Sequence, residues 1–248
     1  MKHIELAAYL NGYLRVEEIP DTCVNGLEVE APGDVHKVAL AVDASLDNFR
    51  MAREAGADFV LVHHGMFWDK VPITGVVYRR VSFLISNGMA LYAAHLPLDM
   101  HPEIGNNVGL AKIIGLTRSR PFGSYHGLVI SLMGEVEPTP LECLVGRIEA
   151  GLGRKAHVVA AGPRTVTKVA ICSGRAPDLF AEAVKAGADV FFTGETSHQL
   201  VGEAQDAGVN VIFGGHWATE TLGVKAAGAH IEERFGLPTV FVGQDTGF

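Results

Sequence analysis

The chain has 248 residues, 48% of them apolar and 19% charged, a composition that excludes disorder for most of its length. At roughly 150 residues per domain, this length predicts one large α/β domain or two small ones. Asp and Glu outnumber Lys and Arg by 28 to 20, which gives a formal charge of -8, and the longest basic run is the pair Arg79 and Arg80. A broad nucleic-acid or anionic-membrane surface is therefore not expected.

Targeting and cysteine signals indicate the cellular compartment. No run approaches the roughly 18 apolar residues that a membrane-spanning helix needs, and the first residues, MKHIELAAYLNGY, lack the apolar region of a signal peptide. Cys23, Cys143 and Cys172 are odd in number and far apart, which supports neither a disulfide framework nor a zinc knuckle. We therefore expect a soluble protein of the reducing cytoplasm.

An internal repeat organises the chain. Residues 37–61, KVALAVDASLDNFRMAREAGADFVL, align without gaps with residues 168–192, KVAICSGRAPDLFAEAVKAGADVFF, and 10 of the 25 positions are identical. Each copy predicts a buried strand, an amphipathic helix that ends at Gly56 or Gly187, and a second short strand. Because these strands are continuous apolar runs, we expect them to be parallel and covered on both faces.

Taken in chain order, the predicted elements form two similar halves. The first half has strands at 38–42, 59–62 and 90–94, and the second half has strands at 127–136, 156–161, 169–172, 190–192 and 210–213, with a helix at 139–151. We predict an α/β fold with internally duplicated βαβαβ halves and mostly parallel sheets covered by helices. The expected halves are residues 1–120 and 121–215, and the C-terminal helix and strand, 216–248, are expected to pack back on the first half.

Polar residues follow the predicted strands at their carboxyl ends, where open α/β sheets bind ligands. After the shared strand, the first copy continues with HHG (63–65) and the second with GET (194–196). The next strands end in HLPLD (95–99) and GGHWATE (214–220). The scaffold thus repeats, whereas the residues at its strand ends differ.

Each of these signals has an ordinary structural alternative. Neighbouring residues of a strand point to opposite faces, so His63 and His64 reach one centre only if the strand has ended; otherwise one is a core residue and the other is solvated. His216 and Glu220 share one helix face at i, i+4, which suits a metal and also an ordinary surface pair. Asp99 alone is typical of a helix N-cap or a turn.

The coincidence of placement favours a metal site. Three strand ends together supply three imidazoles and two carboxylates, namely His63, His64, Asp99, His216 and Glu220. This set suits Zn, Fe, Mn, Co or Ni better than Ca or Mg, and five ligands predict two divalent ions because one catalytic zinc takes three. Two ions that share a water molecule are typical of hydrolysis. We therefore predict a dinuclear metal site between the halves.

Other polar and aromatic residues lie near these positions. Glu195 and His198 in TGETSH, together with His95, are candidates for catalytic proton transfer; the alternative is a helix N-terminal acid and polar turn residues. Trp68 and Trp217 are predicted to pack against neighbours rather than to stack on a base.

The motifs together resemble a known family. The chain is similar over nearly its whole length to the type 2 GTP cyclohydrolase I homologues, also called the Nif-three-like family, on five motifs: DTCVNGLEVE (21–30), VHHGMFW (62–68), HLPLD (95–99), TGETSH (193–198) and GGHWATE (214–220). The resemblance implies a duplicated α/β fold, a dinuclear site on the same five ligands with Glu220 as the bridge, and a homo-oligomer, often a ring-shaped hexamer. Gly65 and Leu96-Pro97 depart from the Pro and the Thr-Asn that many members have.

The family name implies a small-molecule substrate, with metal-activated water opening the guanine imidazole ring of GTP. The sequence has no Gly-rich phosphate loop, so a triphosphate would rest on the metals, helix N-termini and basic groups such as Lys70, Arg79 or Arg80. Three hypotheses follow. The first is a dinuclear hydrolase of a nucleotide or related heterocycle, the second a metal-containing regulatory or scaffolding protein with protein partners and no turnover, and the third a non-haem iron redox enzyme.

Overall fold

The computed structural model describes residues 1–247, which form two sheets flanked by helices. The helices are α1 (His3–Leu14), α2 (Leu46–Glu54), α3 (Gly75–Ser86), α4 (Leu96–Met100), α5 (Asn106–Ile114), α6 (Leu141–Leu152), α7 (Phe180–Lys185), α8 (His198–Ala207) and α9 (His216–Phe235). The strands are β1 (Gly26–Val29), β2 (Val38–Asp43), β3 (Phe59–His64), β4 (Ala90–Ala93), β5 (Thr117–Tyr125), β6 (Leu128–Pro140), β7 (His157–Val159), β8 (Thr165–Cys172), β9 (Val190–Thr193), β10 (Asn210–Phe213) and β11 (Thr239–Phe241).

The first compact unit comprises Met1–Ile104 and Gly223–Gln244. Its sheet has the order β1-β4-β3-β2-β11, in which only β1 is antiparallel to its neighbour. Alternate strand residues face opposite sides of the sheet: Leu40 packs in a core with α1 and α9, whereas Ala39 packs in a second core with α2 and α3. Helices therefore cover both faces, which explains why these strands are apolar throughout.

The second compact unit comprises Gly105–Leu222 and Asp245–Phe248, of which Phe248 lies outside the described residues. Its sheet has the order β5-β6-β8-β9-β10-β7. Helices α5 and α6 share one core with the sheet, and α7 and α8 share the other. The expectation of mostly parallel strands is correct for the first sheet but not here, because β5, β6 and β7 all pair antiparallel and only β8, β9 and β10 run parallel.

The α/β class is as predicted, but the units divide the chain elsewhere than at residue 120. Helix α5 and strand β5 belong to the second unit, because α5 packs on α6 and β6, and β5 pairs with β6 along its length. Strand β11 extends the first sheet beside β2. Within 1–247, no helix combines the length and the apolar character needed to cross a membrane.

The two copies of the repeat adopt the same local structure. Each forms a parallel β-α-β unit, β2-α2-β3 in one and β8-α7-β9 in the other. The shared Ala-Gly-Ala-Asp run contains a glycine at positive φ, 77° at Gly56 and 74° at Gly187, where the left-handed conformation ends the helix. The carboxylates of Asp58 and Asp189 then accept hydrogen bonds from the backbone N–H of Lys37 (3.3 Å) and Lys168 (2.9 Å), at the first residues of the repeat.

Candidate metal centre

Three imidazoles meet at the carboxyl ends of β3 and β4 in the first unit. His63 and His64 are the last residues of β3, and His95 follows β4 closely. One ring nitrogen from each lies within 4.8 Å of the others, a spacing that could hold a metal ion. We call His63, His64 and His95 the imidazole trio. The two neighbouring histidines at the end of β3 therefore lie close enough to serve one centre.

The hydrogen bonds of the trio determine which ring nitrogen presents a lone pair. His63 is fully buried, and its Nδ1 lies 3.0 Å from the carbonyl oxygen of Ala94. Because a carbonyl can only accept, Nδ1 carries the proton and Nε2 has the lone pair. His64 Nδ1 lies 2.8 Å from Oδ1 of Asp43, its register partner at the end of β2, with the same consequence. Such an oxygen partner is typical of metal-ligating histidines.

His95 is held by a more elaborate set of contacts. Its Nδ1 lies 3.0 Å from Oδ2 of Asp21, and its backbone N–H donates to Asn25 Oδ1 at 2.7 Å. Burial alone would raise the pKa of Asp21, but hydrogen bonds and charge from His95, with further N–H donors from Asn25 and Leu96, outweigh it and lower that pKa to about 2. Asp21 is therefore ionised at neutral pH. It orients the His95 ring through Nδ1, so that Nε2 points away from the Asp21 carboxylate.

Asp99 adds a carboxylate next to the trio. It lies on the short helix α4 that begins after His95, and its backbone N–H donates to the His95 carbonyl at 3.1 Å. The buried carboxylate reaches His63, with 3.6 Å between Oδ2 and Nε2. The first unit thus brings together nitrogen and oxygen donors of the kind that transition metals prefer.

The second unit has its own imidazole–carboxylate group. His216 begins α9 after the close-packed Gly214-Gly215 pair, and its Nε2 lies 3.2 Å from Oε2 of Glu220 one turn later. The Nδ1 of His216 lies 2.8 Å from Oε2 of Glu195, whose other oxygen is 3.7 Å from Arg175 Nε. We call His216 and Glu220 the second-unit pair. As for His64, a carboxylate fixes the ring and leaves Nε2 directed at the other candidate ligand.

Two glycines that lie next to these groups in the chain or in space have no room for a side chain. A Cβ at Gly65 would lie 2.8 Å from Ala93 Cβ and would overlap the carboxylate of Glu28, which accepts hydrogen bonds from Met66 and Phe67 N–H. A Cβ at Gly174 would overlap the Glu220 carboxylate and lie 3.3 Å from His216 Nε2. Gly65, which stands where many resembling proteins have Pro, therefore lies too close to Ala93 and Glu28 to carry a side chain without a shift of these neighbours.

The predicted site residues do not all belong to these groups. His198 is the exposed first residue of α8, and none of the possible metal-binding groups among residues 1–247 includes it. Glu195 contacts Nδ1 of His216 through its carboxylate. Trp68 lies beside the trio, with its ring against that of His95. The sequence interpretation missed Asp21 and Asp43, although Asp43 ends β2 just as His64 ends β3, and the same strand-end rule could have identified it.

Comparison with known proteins places the chain among established relatives. A model of the family described as Duf34/NIF3 (NGG1p interacting factor 3) matches residues 1–246. The chain belongs to the Duf34/NIF3 family. The resemblance drawn from the five motifs is therefore confirmed.

Individual Duf34/NIF3 members match over nearly their full length. The Pyrococcus horikoshii protein named GTP cyclohydrolase 1 type 2 homolog is 41% identical over 251 residues, covering 100% of both chains. A Deinococcus radiodurans protein of the same name is 40% identical over 98% of this chain and 93% of its own. Among solved structures, TTHA1606 from Thermus thermophilus has a TM-score of 0.93 and 42% identity, covering 100% of both chains. Protein ybgI, described as of unknown function, has a TM-score of 0.91 and 36% identity, covering 99% of this chain and 100% of its own.

Proposed function

We propose that this Duf34/NIF3 protein is a dinuclear metal-dependent hydrolase whose ligands are His63, His64, Asp99, His216 and Glu220. One observation supports this most strongly. The Nδ1 atoms of His63, His64 and His216 each contact an oxygen. The partners, in that order, are the Ala94 carbonyl and the carboxylates of Asp43 and Glu195, so each ring presents Nε2 as the ligand atom. An Nδ1–oxygen contact also occurs at the exposed His36, so the support comes from finding it at all three proposed imidazole ligands, where each Nε2 lies near a further candidate ligand.

The donor chemistry fits transition metals. Imidazole nitrogen with carboxylate oxygen suits Zn, Fe, Mn, Co or Ni, and a buried carboxylate such as Glu220 can bridge two ions. Bound there, two divalent ions would lower the pKa of water and polarise the substrate. Five donors require the second-unit pair as well as His63, His64 and Asp99, since neither group alone supplies five.

Residues around the ligands have separate roles in this proposal. Asp21 holds the Nδ1 proton of His95, so Nε2 is the atom through which His95 would exchange a proton. Glu195 would take a proton on the oxygen that faces Arg175 while the other oxygen orients His216. His198 is proposed as a third proton-transfer group from its exposed position on α8.

The substrate proposed is a nucleotide or related heterocycle, with opening of the purine ring of GTP as the leading reaction. The names of the Pyrococcus and Deinococcus relatives support this choice, since each states homology to a GTP cyclohydrolase. We further propose a cytoplasmic homo-oligomer, with a hexamer as the expected assembly.

Metal analysis combined with a nucleotide panel tests the proposal. Elemental analysis of the full chain should find two ions, and the loaded protein should convert at least one nucleotide to a product detected by mass. His63→Ala and His216→Ala should each lower the metal content and abolish turnover. The control is His36→Ala, because His36 also pairs with a carboxylate, that of Asp58 at 2.7 Å, but is exposed.

Three results would contradict it. A His216→Ala variant that still holds two ions per chain would show that His216 is not a ligand. Fully loaded protein that turns over no nucleotide, with His216→Ala reducing only stability, would make the metals structural, as in the scaffolding hypothesis. Turnover that requires iron and oxygen would indicate redox chemistry instead of hydrolysis. Activity of the zinc-loaded protein would exclude that redox alternative.

A further inference from the structure

Trp68 lies beside the imidazole trio, and its side chain is partly exposed to solvent. The ring centroid is 4.9 Å from that of His95 in an edge arrangement and 6.1 Å from that of His64. Trp68 is 37% exposed, whereas Phe59 and Tyr92 of the same unit are fully buried. Trp68 thus packs against two imidazole rings, and the part of the side chain that stays exposed borders the candidate metal ligands.

The loop that carries Trp68 is held in place by contacts on both sides. The indole Nε1–H donates to the Gly65 carbonyl at 2.9 Å. The backbone of Trp68 pairs with Cys23 in an antiparallel bridge, and Val24 N–H donates to the Phe67 carbonyl at 2.9 Å. Asp69 then turns the chain with φ of 68°, a left-handed conformation that side-chain-bearing residues rarely adopt. The indole is thus positioned before any ligand binds.

The fixed hydrogen bond limits what the exposed indole can recognise. Its only donor is already used within the loop, so the ring has only its π surface for a ligand. A π surface stacks on planar rings, and such stacking tolerates any base because every base has a π face. An aliphatic or purely anionic ligand would gain little from it.

We propose that Trp68 is a specificity-determining residue that stacks on the planar heterocycle of the substrate next to the imidazole trio. This inference rests on the proposed function in one respect, that the substrate binds at the candidate metal ligands. It goes further in naming the substrate's recognised part as an aromatic ring, whichever bond is cleaved.

Ligand titration by calorimetry on the metal-loaded full chain tests this inference. The probes are GTP, ATP and CTP, which have a ring, and inorganic tripolyphosphate, which has none. Trp68→Ala should weaken binding of all three nucleotides by about 10-fold or more and leave tripolyphosphate unchanged. Trp68→Phe should retain most of the affinity because it keeps an aromatic face. Tyr125→Ala is the matched control, since Tyr125 is similarly exposed at 43% but its ring contacts only the exposed His126 among the described ring contacts.

Four results would overturn the inference, three of them from the binding titrations. These are equal losses for tripolyphosphate and nucleotides, no loss in Trp68→Ala, or a wild-type protein that binds nucleotides no better than tripolyphosphate. Loss of metal from both Trp68→Ala and Trp68→Phe would also overturn it, because the residue would then be structural. The outcome is separable from that of the proposed function: ring-dependent binding without turnover supports stacking and rejects hydrolysis.

Discussion

The two copies of the repeat build the same scaffold but end in different chemistry. Asp58 and Asp189 hold the start of the neighbouring strand in the same way. Beyond the second strand, the first unit presents three imidazoles and one carboxylate, whereas the second presents one imidazole with Glu195 and Glu220. The two β-α-β units therefore share their local structure, whereas the residues at their open ends differ and form a nitrogen-rich group in one and an oxygen-rich group in the other.

The largest expected effect distinguishes the tightly packed glycines of the two units. Gly65→Ala should destabilise the protein by about 1–3 kcal/mol in urea unfolding, because its Cβ meets Ala93 and Glu28. Gly174→Ala should lower stability too, because Gly174 has φ of 62°, a conformation that strains a side-chain-bearing residue, and it should in addition lower metal content because its Cβ would displace the Glu220 carboxylate.

The control for both is Gly146→Ala in α6. A Cβ there has no heavy atom within 4 Å, and alanine is the better helix former. An unfolding midpoint of Gly65→Ala equal to that of Gly146→Ala would contradict the packing argument.

The next effect concerns the carboxylates that orient imidazoles in each unit. Asp43→Ala in the first unit and Glu195→Ala in the second should each weaken metal binding about 10- to 100-fold, as expected for a lost oxygen partner of a ligand. Competition with a zinc chelator measures this affinity. Asp47→Ala is the control, because Asp47 is exposed and pairs only with Arg50 on the surface of α2. Affinities that match the control would show that neither carboxylate supports a ligand.

A pH effect is expected from the first unit. Burial raises the pKa of Glu28 to about 7 from 4.5, although N–H bonds from Met66 and Phe67 oppose the shift. The folded protein thus holds this proton more tightly than the unfolded chain does. The stability that Glu28 contributes is fully present below its unfolded pKa of 4.5 and is lost as pH rises through its folded pKa of about 7, a loss on the order of 3 kcal/mol. Urea unfolding from pH 4.5 to 8 should show this decline in the wild type and a flatter profile in Glu28→Gln, and an unchanged profile in the variant would refute it.

The smallest effect is at the start of the repeat helices. Ser45 caps α2 by accepting a hydrogen bond from Asn48 N–H at 3.1 Å, whereas the equivalent Ala176 has no such group and is followed by a 3-10 helix at Pro177–Leu179. Ser45→Ala should lower the free energy of unfolding by about 1 kcal/mol, measured by thermal unfolding. Ser45→Thr should retain most of the wild-type stability because it keeps the hydroxyl. Equal losses in both variants would show that the hydroxyl is not the cause.

Much of the repeat scaffold could be predicted from local pattern. Continuous apolar runs at 38–42 and 59–62, each bounded by turn residues, predict buried parallel strands, which in the structure extend to Asp43 and His64. The edges of the second sheet could not be predicted in this way. Strand β6 pairs antiparallel with both β5 and β8. An alternating pattern predicts a strand, but it does not indicate which strand is its neighbour or in which direction that neighbour runs.

The rule that parallel strands end at one edge of a sheet placed His63, His64 and His95 near one another, although the sequence analysis took His95 for a proton-transfer group rather than for a third imidazole of the cluster. The orientation of these imidazole rings could not be predicted from the same rule. Asp21 lies 74 positions from His95 in sequence, and the hydrogen bond between them exists only because β1 and the loop before it pack beside β4. The exposure of Trp68 likewise depends on the bridge to Cys23.

By itself, the sequence determined the repeated β-α-β units and the types of side chain at their strand ends, because apolar periodicity, glycine and aspartate act through neighbours only a few positions away. Tertiary structure alone decided which nitrogen of each imidazole presents its lone pair, and it brought an exposed indole beside the trio. The physical reason is that hydrogen-bond partners such as Asp43 with His64, and Asp21 with His95, are chosen by strand register and packing, which no local pattern encodes.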